Sequence, residues 1–207
     1  NEPGCAISPE NREAFVREFG SLLPRAAVTV LCGSLPPGVP ADIYAHLISL
    51  AKRAGVRSIL DADGEALRRG LEQKPYAIKP NIRELEELTG RKLPTVRDIC
   101  QAARALIRGG IGVVVVSMGP DGTVAVDARE AYRADAWDIE VKGATGAGDS
   151  MVAALAAGLL RDASLAYLAR TATAAGTVTA SKPGTRLCTR EEVRSALPLV
   201  TLHQIPE

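Results

Sequence analysis

The sequence predicts an α/β fold, a mostly parallel sheet with helices on both faces, and three observations carry the prediction. Short apolar runs alternate with helical patterns along the chain. One run, Gly112 to Met118, holds four consecutive valines without polar alternation, as a strand buried on both faces requires. Hydrophobic residues make up 46% of the 207 and aromatics only 3%, so there is material for a core and that core is aliphatic.

Each element follows from local signals. Ser8-Pro9 before Glu10-Asn11-Arg12-Glu13 supplies a cap, a first-turn proline and an acidic start for a helix running to about Leu23. Val28 to Cys32 reads as a buried strand ending at Gly33. Pro40 opens a periodic segment with Ile43, Leu47, Ile48 and Ala51 on one face and Gly55 as its C-terminal cap. Ser58-Ile59-Leu60 is a strand ending at Asp61, Glu65 to Glu72 a helix, and Tyr76 to Lys79 a strand. Helices follow over Ile82 to Thr89, closed by Gly90, and from Thr95 to Arg108, with Asp98 three residues past the Thr95 cap. After the valine strand, Gly122 to Asp127 and Glu130 to Trp137 form a hairpin pair. Gly146 to Leu160 and Ser164 to Ala180 are Ala-rich helices, and Thr189-Arg190-Glu191-Glu192 has capping-box spacing for a last one. No linker signal divides the chain, so residues 1–207 are expected to form one domain.

Composition and charge exclude several functions. With 25 Lys+Arg against 24 Asp+Glu, the chain lacks the basic excess of nucleic-acid or anionic-membrane binders. Cys5, Cys32, Cys100 and Cys188 lie far apart without a C-x-x-C pair, which disfavours a zinc site and a disulfide scaffold and suits reduced thiols. The apolar stretch Met151 to Leu160 is well short of the ~20 residues that span a bilayer, and Asn-Glu-Pro-Gly is no signal peptide. The expected location is the cytoplasm, with no membrane and no nucleic acid as partner.

Four segments could carry chemistry. Thr145-Gly146-Ala147-Gly148-Asp149-Ser150 opens an Ala-rich helix. Its small residues let backbone N–H groups approach an anion where the helix dipole favours negative charge. A carboxylate beside such a hole makes sense as a general base for an attacking hydroxyl, while an ordinary N-cap is the plainer alternative. Lys79-Pro80-Asn81-Ile82-Arg83-Glu84 sits between a strand and a helix, with Asn81 and Glu84 on one face of the first turn. Their oxygens could hold magnesium directly or through its waters, and they also have the spacing of a capping pair. Ser117-Met118-Gly119-Pro120-Asp121-Gly122 follows the valine strand, where doubly wound sheets bind ligands, and equally reads as a turn. Gly33-Ser34-Leu35-Pro36-Pro37-Gly38 is a stiff loop at another strand end. Neither a P-loop nor a dinucleotide fingerprint occurs.

Taken together, Gly146-Ala147-Gly148-Asp149, Lys79-Pro80-Asn81-x-x-Glu84 and Ser117-x-Gly119-x-x-Gly122 resemble the ribokinase-like, or PfkB, carbohydrate kinases over effectively the whole chain. The Gly33 to Gly38 loop and the opening Asn1-Glu2-Pro3-Gly4 resemble the branch of 1-phosphofructokinase and tagatose-6-phosphate kinase. The resemblance implies a ribokinase-like fold and ATP-dependent phosphorylation of a phosphosugar, fructose 1-phosphate first or tagatose 6-phosphate, with ATP and magnesium required. It implies that Asp149 is the catalytic base and that the backbone of Gly146, Ala147 and Gly148 is the anion hole. Asn81 and Glu84 correspond to the motif tied to magnesium and the nucleotide phosphates. Lys79 and Ser117, Met118, Gly119, Pro120, Asp121 and Gly122 correspond to positions lining the ATP site, with Gly148 facing the phosphates.

The resemblance also frames what the chain lacks. Family members begin with a strand, a sugar-binding aspartate, a Gly-Gly loop and a β-sheet lid that often forms a dimer interface. The expectation is therefore the C-terminal, nucleotide-binding part of such a kinase, without the lid and first strands, and inactive alone. Gly143 and Ala144 stand where many relatives carry an Asp-Thr pair for a monovalent cation, which argues against potassium activation. A non-catalytic nucleotide-binding remnant, and a nucleoside or plain-sugar kinase of the same fold, are the other readings. His46, within an apolar helical pattern, and His203, in the terminal tail, are expected to be structural or solvated, and the charges of Arg190 to Arg194 a solvated face. Arg186 is left without a role.

Overall fold

The valine run shows how the molecule is layered. In the computed structural model, which describes residues 4–206, it forms strand β4, Val113–Ser117, and its first four residues are buried. Val114 and Val116 point into one core and Val113 and Val115 into another. Successive side chains on a strand face opposite ways, so a strand with apolar residues at every position must be covered on both sides. Each such burial contributes roughly 1.5–3 kcal/mol.

Helices supply the cover. One face carries α2 (Ile43–Arg53), α3 (Gly64–Glu72), α4 (Ile82–Thr89) and α5 (Val96–Arg108), packed through residues such as Leu47, Leu67, Leu85 and Ile99. The other carries α6 (Ala147–Leu159), α7 (Leu165–Ala180) and α8 (Arg190–Ala196), through Leu155, Leu168 and Ala196. A first helix, α1 (Pro9–Leu22), lies outside with no buried residue.

Seven strands form one sheet in sequence order: β1 (Val28–Cys32), β2 (Arg57–Asp61), β3 (Ala77–Ile78), β4, β5 (Thr123–Val126), β6 (Ala131–Asp135) and β7 (Thr201–Gln204). The pairs from β1 to β4 are parallel and the pairs from β4 to β7 antiparallel, so β6 runs with the first four. The carboxyl ends of β1 to β4 therefore open on one edge, where an open α/β sheet binds its ligands.

Capping chemistry sets the helix ends, as the sequence predicts for Ser8, Asn81, Thr95 and Thr189, and Ser164 adds a cap that the sequence reading did not name. Ser8 and Ser164 accept the N–H of Asn11 and Tyr167, and Asn81, Thr95 and Thr189 form full capping boxes. Gly55, at φ 72°, donates to Lys52 while Val56 donates to Ala51, the paired bonds that end a helix at a left-handed residue. Asp127 Oδ1 accepts the N–H groups of Arg129 and Glu130 and so turns β5 into β6.

Three elements differ from the sequence reading. The second helix starts at Ile43, because Pro40 to Asp42 form a turn that leads into it. Residues 201–204 are a strand paired with β6, so His203 lies on a sheet edge with its Nε2 3.1 Å from Asp135 Oδ2. The solvated face around Arg190 also contributes a fixed group: Glu192 accepts from the Thr189 N–H at 2.7 Å and pairs with Lys182 at 2.6 Å. Asn1 to Pro3 of the opening segment lie outside the described residues.

Candidate active site

The site is assembled at the carboxyl ends of β1 to β4 and the start of α6. Five of the helices described above begin with a serine, threonine or asparagine side chain on their free N–H groups, whereas α6, like α2 and α3, has no side-chain cap and begins at Gly146. Gly146 is at φ 80°, a left-handed conformation that favours glycine, and a Cβ there would have to push aside only the exposed tip of Leu187. The Ala147 N–H closes a turn on Ala144 O at 3.2 Å, and the Ser150 N–H returns to Gly146 O at 2.9 Å. Between them, the N–H groups of Gly148 and Asp149 have no acceptor among the described residues. Unspent N–H groups at the positive end of a helix dipole form an anion site, and the exposed Asp149 carboxylate stands in that same first turn.

Beneath this turn lies Lys79, which follows β3. The residue is only 5% exposed, its Nζ is 3.1 Å from Asp61 Oδ1, and it is 3.5 Å from where a Cβ of Gly148 would stand. A single ammonium thus faces the anion site from below. Burial pushes the Asp61 carboxyl above its ordinary value. Lys79 opposes the shift, and Asp149 and Asp63 add to it. Burial likewise raises Glu84, with the Asn81 backbone N–H opposing, and it raises the Cys32 thiol at the end of β1, where Asp149 adds to the effect. Asp61 and Glu84 thus share one lysine while Asp149 acts on Asp61, so carboxylates outnumber the ammonium and the balance of charge favours a cation.

Asn81 and Glu84 form a closed reciprocal cap. Asn81 Oδ1 accepts the Glu84 N–H at 2.9 Å, while Glu84 accepts the Asn81 N–H at 2.9 Å and its Nδ2 at 2.7 Å. Each Glu84 oxygen keeps a lone pair after these bonds, which suits it to the water shell of a hard cation. Among the described residues no group of three or more His, Cys, Asp or Glu could hold a metal unaided. Magnesium normally takes one or two carboxylates and completes its shell with waters and phosphates, so the oxygen-only donor set fits it.

The Ser117 to Gly122 segment joins the same edge. Ser117 bridges to Asn81, and its N–H donates to Pro80 O at 2.9 Å, so the loop after β4 is stitched to the start of α4. Gly119, Pro120 and Asp121 are exposed, and Gly122 lies against the Ala134 carbonyl with no room for a Cβ. Met118 is different: its side chain is buried in the core, and its N–H is spent on Gly122 O at 2.9 Å. The sequence motifs therefore meet in one place, with Met118 contributing packing.

Three residues of the site escaped sequence reasoning. Asp61, Asp63 and Cys32 carry no motif, and the available signal was position: Asp61 and Cys32 each end a buried strand on the ligand edge. Tyr44 braces the neighbouring loop from α2, its hydroxyl reaching Cys32 O at 2.9 Å and Gly33 O at 3.0 Å.

A groove of about 660 Å³ between α6, α7 and α8 reaches Asp149 at one end, lined by Ala153, Ala157, Val193 and Leu197. No helix among the described residues is long and apolar enough to cross a membrane, and the described cysteines are unpaired.

The chain is 37% identical over its full length to a 1-phosphofructokinase of Rhodobacter capsulatus, of which it spans 66%. It is 36% identical over 93% of its length to the ATP-dependent 6-phosphofructokinase isozyme 2 of Escherichia coli, spanning 62% of that protein. The crystal structure of Escherichia coli phosphofructokinase-2 in complex with potassium superposes with a TM-score of 0.90 at 33% identity, over 96% of this chain and 65% of that one. Residues 5–192 match the model of the pfkB family carbohydrate kinases, and the chain belongs to that family.

Proposed function

We propose that the chain carries the nucleotide-binding and phosphoryl-transfer part of an ATP-dependent phosphosugar kinase, with fructose 1-phosphate as the first-choice acceptor and tagatose 6-phosphate as the second. One observation carries the reading: a helix start with free N–H groups at Gly148 and Asp149, an ammonium beneath it and a carboxylate within it. Phosphoryl transfer asks little covalent chemistry of a protein and much positioning of charge. Relatives named for fructose phosphates favour a phosphosugar acceptor.

In this mechanism, the free N–H groups of Gly148 and Asp149 receive the oxygens of the transferred phosphoryl group; Gly146 and Ala147, expected from the sequence to share that role, shape the turn, the Ala147 N–H being spent on Ala144 O. The helix dipole stabilises the charge that spreads over them. Asp149 accepts the proton of the attacking sugar hydroxyl, and its exposure to the open edge leaves it within reach of substrate. Lys79 neutralises charge from below. Asn81 and Glu84 hold magnesium through its waters, and the ion supplies charge neutralisation on the nucleotide phosphates when bound. The Ser117 to Gly122 loop, tied to Asn81, forms a wall of the nucleotide site.

A coupled ADP-release assay tests the reading, with each sugar phosphate offered separately to this chain and to a version carrying the N-terminal segment that its relatives have. Turnover with fructose 1-phosphate that falls at least about a hundredfold in Asp149→Asn is expected of a general base. Loss below about tenfold removes Asp149 from that role. Nucleotide binding without turnover on any sugar phosphate, even with that segment restored, would favour a non-catalytic nucleotide-binding protein.

A further inference from the structure

Among the described ion pairs, that of Asp61 and Lys79 is the most enclosed: the lysine side chain is 6% exposed and the carboxylate 17%. A buried pair is poor evidence of stabilisation, since well-packed apolar residues often serve as well. The pair therefore calls for another explanation, and geometry supplies one. Lys79 makes its contact with Asp61, the last residue of β2, while Glu84 on α4 lies within reach of its charge and Asp149 on α6 within reach of that of Asp61. With that contact made, Nζ lies 3.5 Å from where a Cβ of Gly148 would stand, against the turn that carries the free N–H groups. A lysine stem has four rotatable carbons, and without Asp61 the ammonium could turn to Glu84 or Asp149 instead.

Resting on the kinase reading above, we propose that Asp61 is a positioning residue, holding the Lys79 ammonium under the first turn of α6 so that ammonium and free N–H groups face the same phosphoryl oxygen. The proposal has a distinctive sign. As a bare negative charge, Asp61 repels phosphate, and its neutralisation would tighten nucleotide binding. As the residue that aims Lys79, its neutralisation weakens binding.

The experiment measures magnesium–ATP affinity by calorimetry on the full chain, with thermal unfolding as a check of folding. It also records the ammonium resonance of Lys79 in lysine-labelled protein, assigned by its loss in Lys79→Met. Asp61→Asn is expected to weaken binding about tenfold, the scale of a direct contact coupling, and to abolish the slowly exchanging ammonium signal. Asp61→Glu keeps the charge but displaces the ammonium, and an intermediate loss is expected. Added to Lys79→Met, Asp61→Asn should cost less than about twofold more, because the two residues act as one. Tighter or unchanged binding in Asp61→Asn, or a fully additive double variant, overturns the proposal while leaving the kinase reading intact. If the unsubstituted chain shows the ammonium signal but no affinity for magnesium–ATP, the kinase reading fails and this proposal falls with it. Should Asp61→Asn not fold, Asp61→Glu decides: unchanged affinity overturns the proposal.

Discussion

The starts of α4 and α6 lie on the same edge of the sheet and are built in opposite ways. At α4 the free N–H groups are consumed by the protein: Asn81 and Glu84 cap each other reciprocally. At α6 a left-handed glycine replaces the cap, and two N–H groups are left over. A helix end costs stability when its donors go unmet, and caps typically return about 1 kcal/mol. The first helix start is finished by its own sequence and the second leaves donors open, the condition an anion site requires. An unfinished terminus beside a carboxylate and a lysine is therefore better evidence of function than the finished one, although both contain family motif residues.

The sharpest way to break this contrast is Asp149→Asn. It should reduce phosphoryl transfer at least about a hundredfold. The carboxylate caps nothing in α6, so the melting temperature should stay nearly unchanged in a thermal scan. Next comes Gly146→Ala, which forces a side chain into a left-handed position and into Leu187. A loss of about 1–2 kcal/mol in chemical denaturation is expected from the left-handed backbone, with nucleotide binding weakened alongside. If alanine were tolerated in both respects, the special entry into α6 would have no consequence.

Asn81→Ala compared with Thr95→Ala isolates what α4 adds to an ordinary capping box. Both should cost about 1 kcal/mol of stability by denaturant titration. Only Asn81→Ala should also weaken magnesium–ATP binding, since Thr95 lies in a box with no neighbouring site residue. Equal effects on binding would reduce Asn81 to a cap. The smallest effect concerns the box at α8. Glu192 is lowered to about 2 by the Lys182 hydrogen bond first and the Thr189 backbone second. Its folded value lies below the ordinary 4.5, so its contribution is present above that pH and is lost as pH falls toward 2. Between pH 5 and 2, Lys182→Met should lose stability less steeply than the unsubstituted chain, while activity at neutral pH should be unaffected.

Much of this was legible in order along the chain. The valine strand, the Ser8, Asn81, Thr95 and Thr189 caps and the left-handed Gly55 and Gly90 depend on neighbours within a few residues, so local chemistry sufficed to place them. The strand at Thr201–Gln204 was not legible, because its residues are mostly exposed and only pairing with β6 makes them a strand. Met118 sits inside a motif, yet its side chain belongs to the core, a direction set by the packing of α2 to α5 against the sheet.

The sequence by itself determined which helices are capped, which glycines turn left-handed and which strand must be covered twice, since those choices rest on short-range sterics and hydrogen bonds. Tertiary structure alone decided that Lys79 pairs with Asp61, that both lie beneath Gly148, and that Asp149 opens onto the edge shared with Asn81 and Ser117. Burial and Coulomb attraction act between groups brought close by packing whatever their distance along the chain, and spacing in a sequence does not record them.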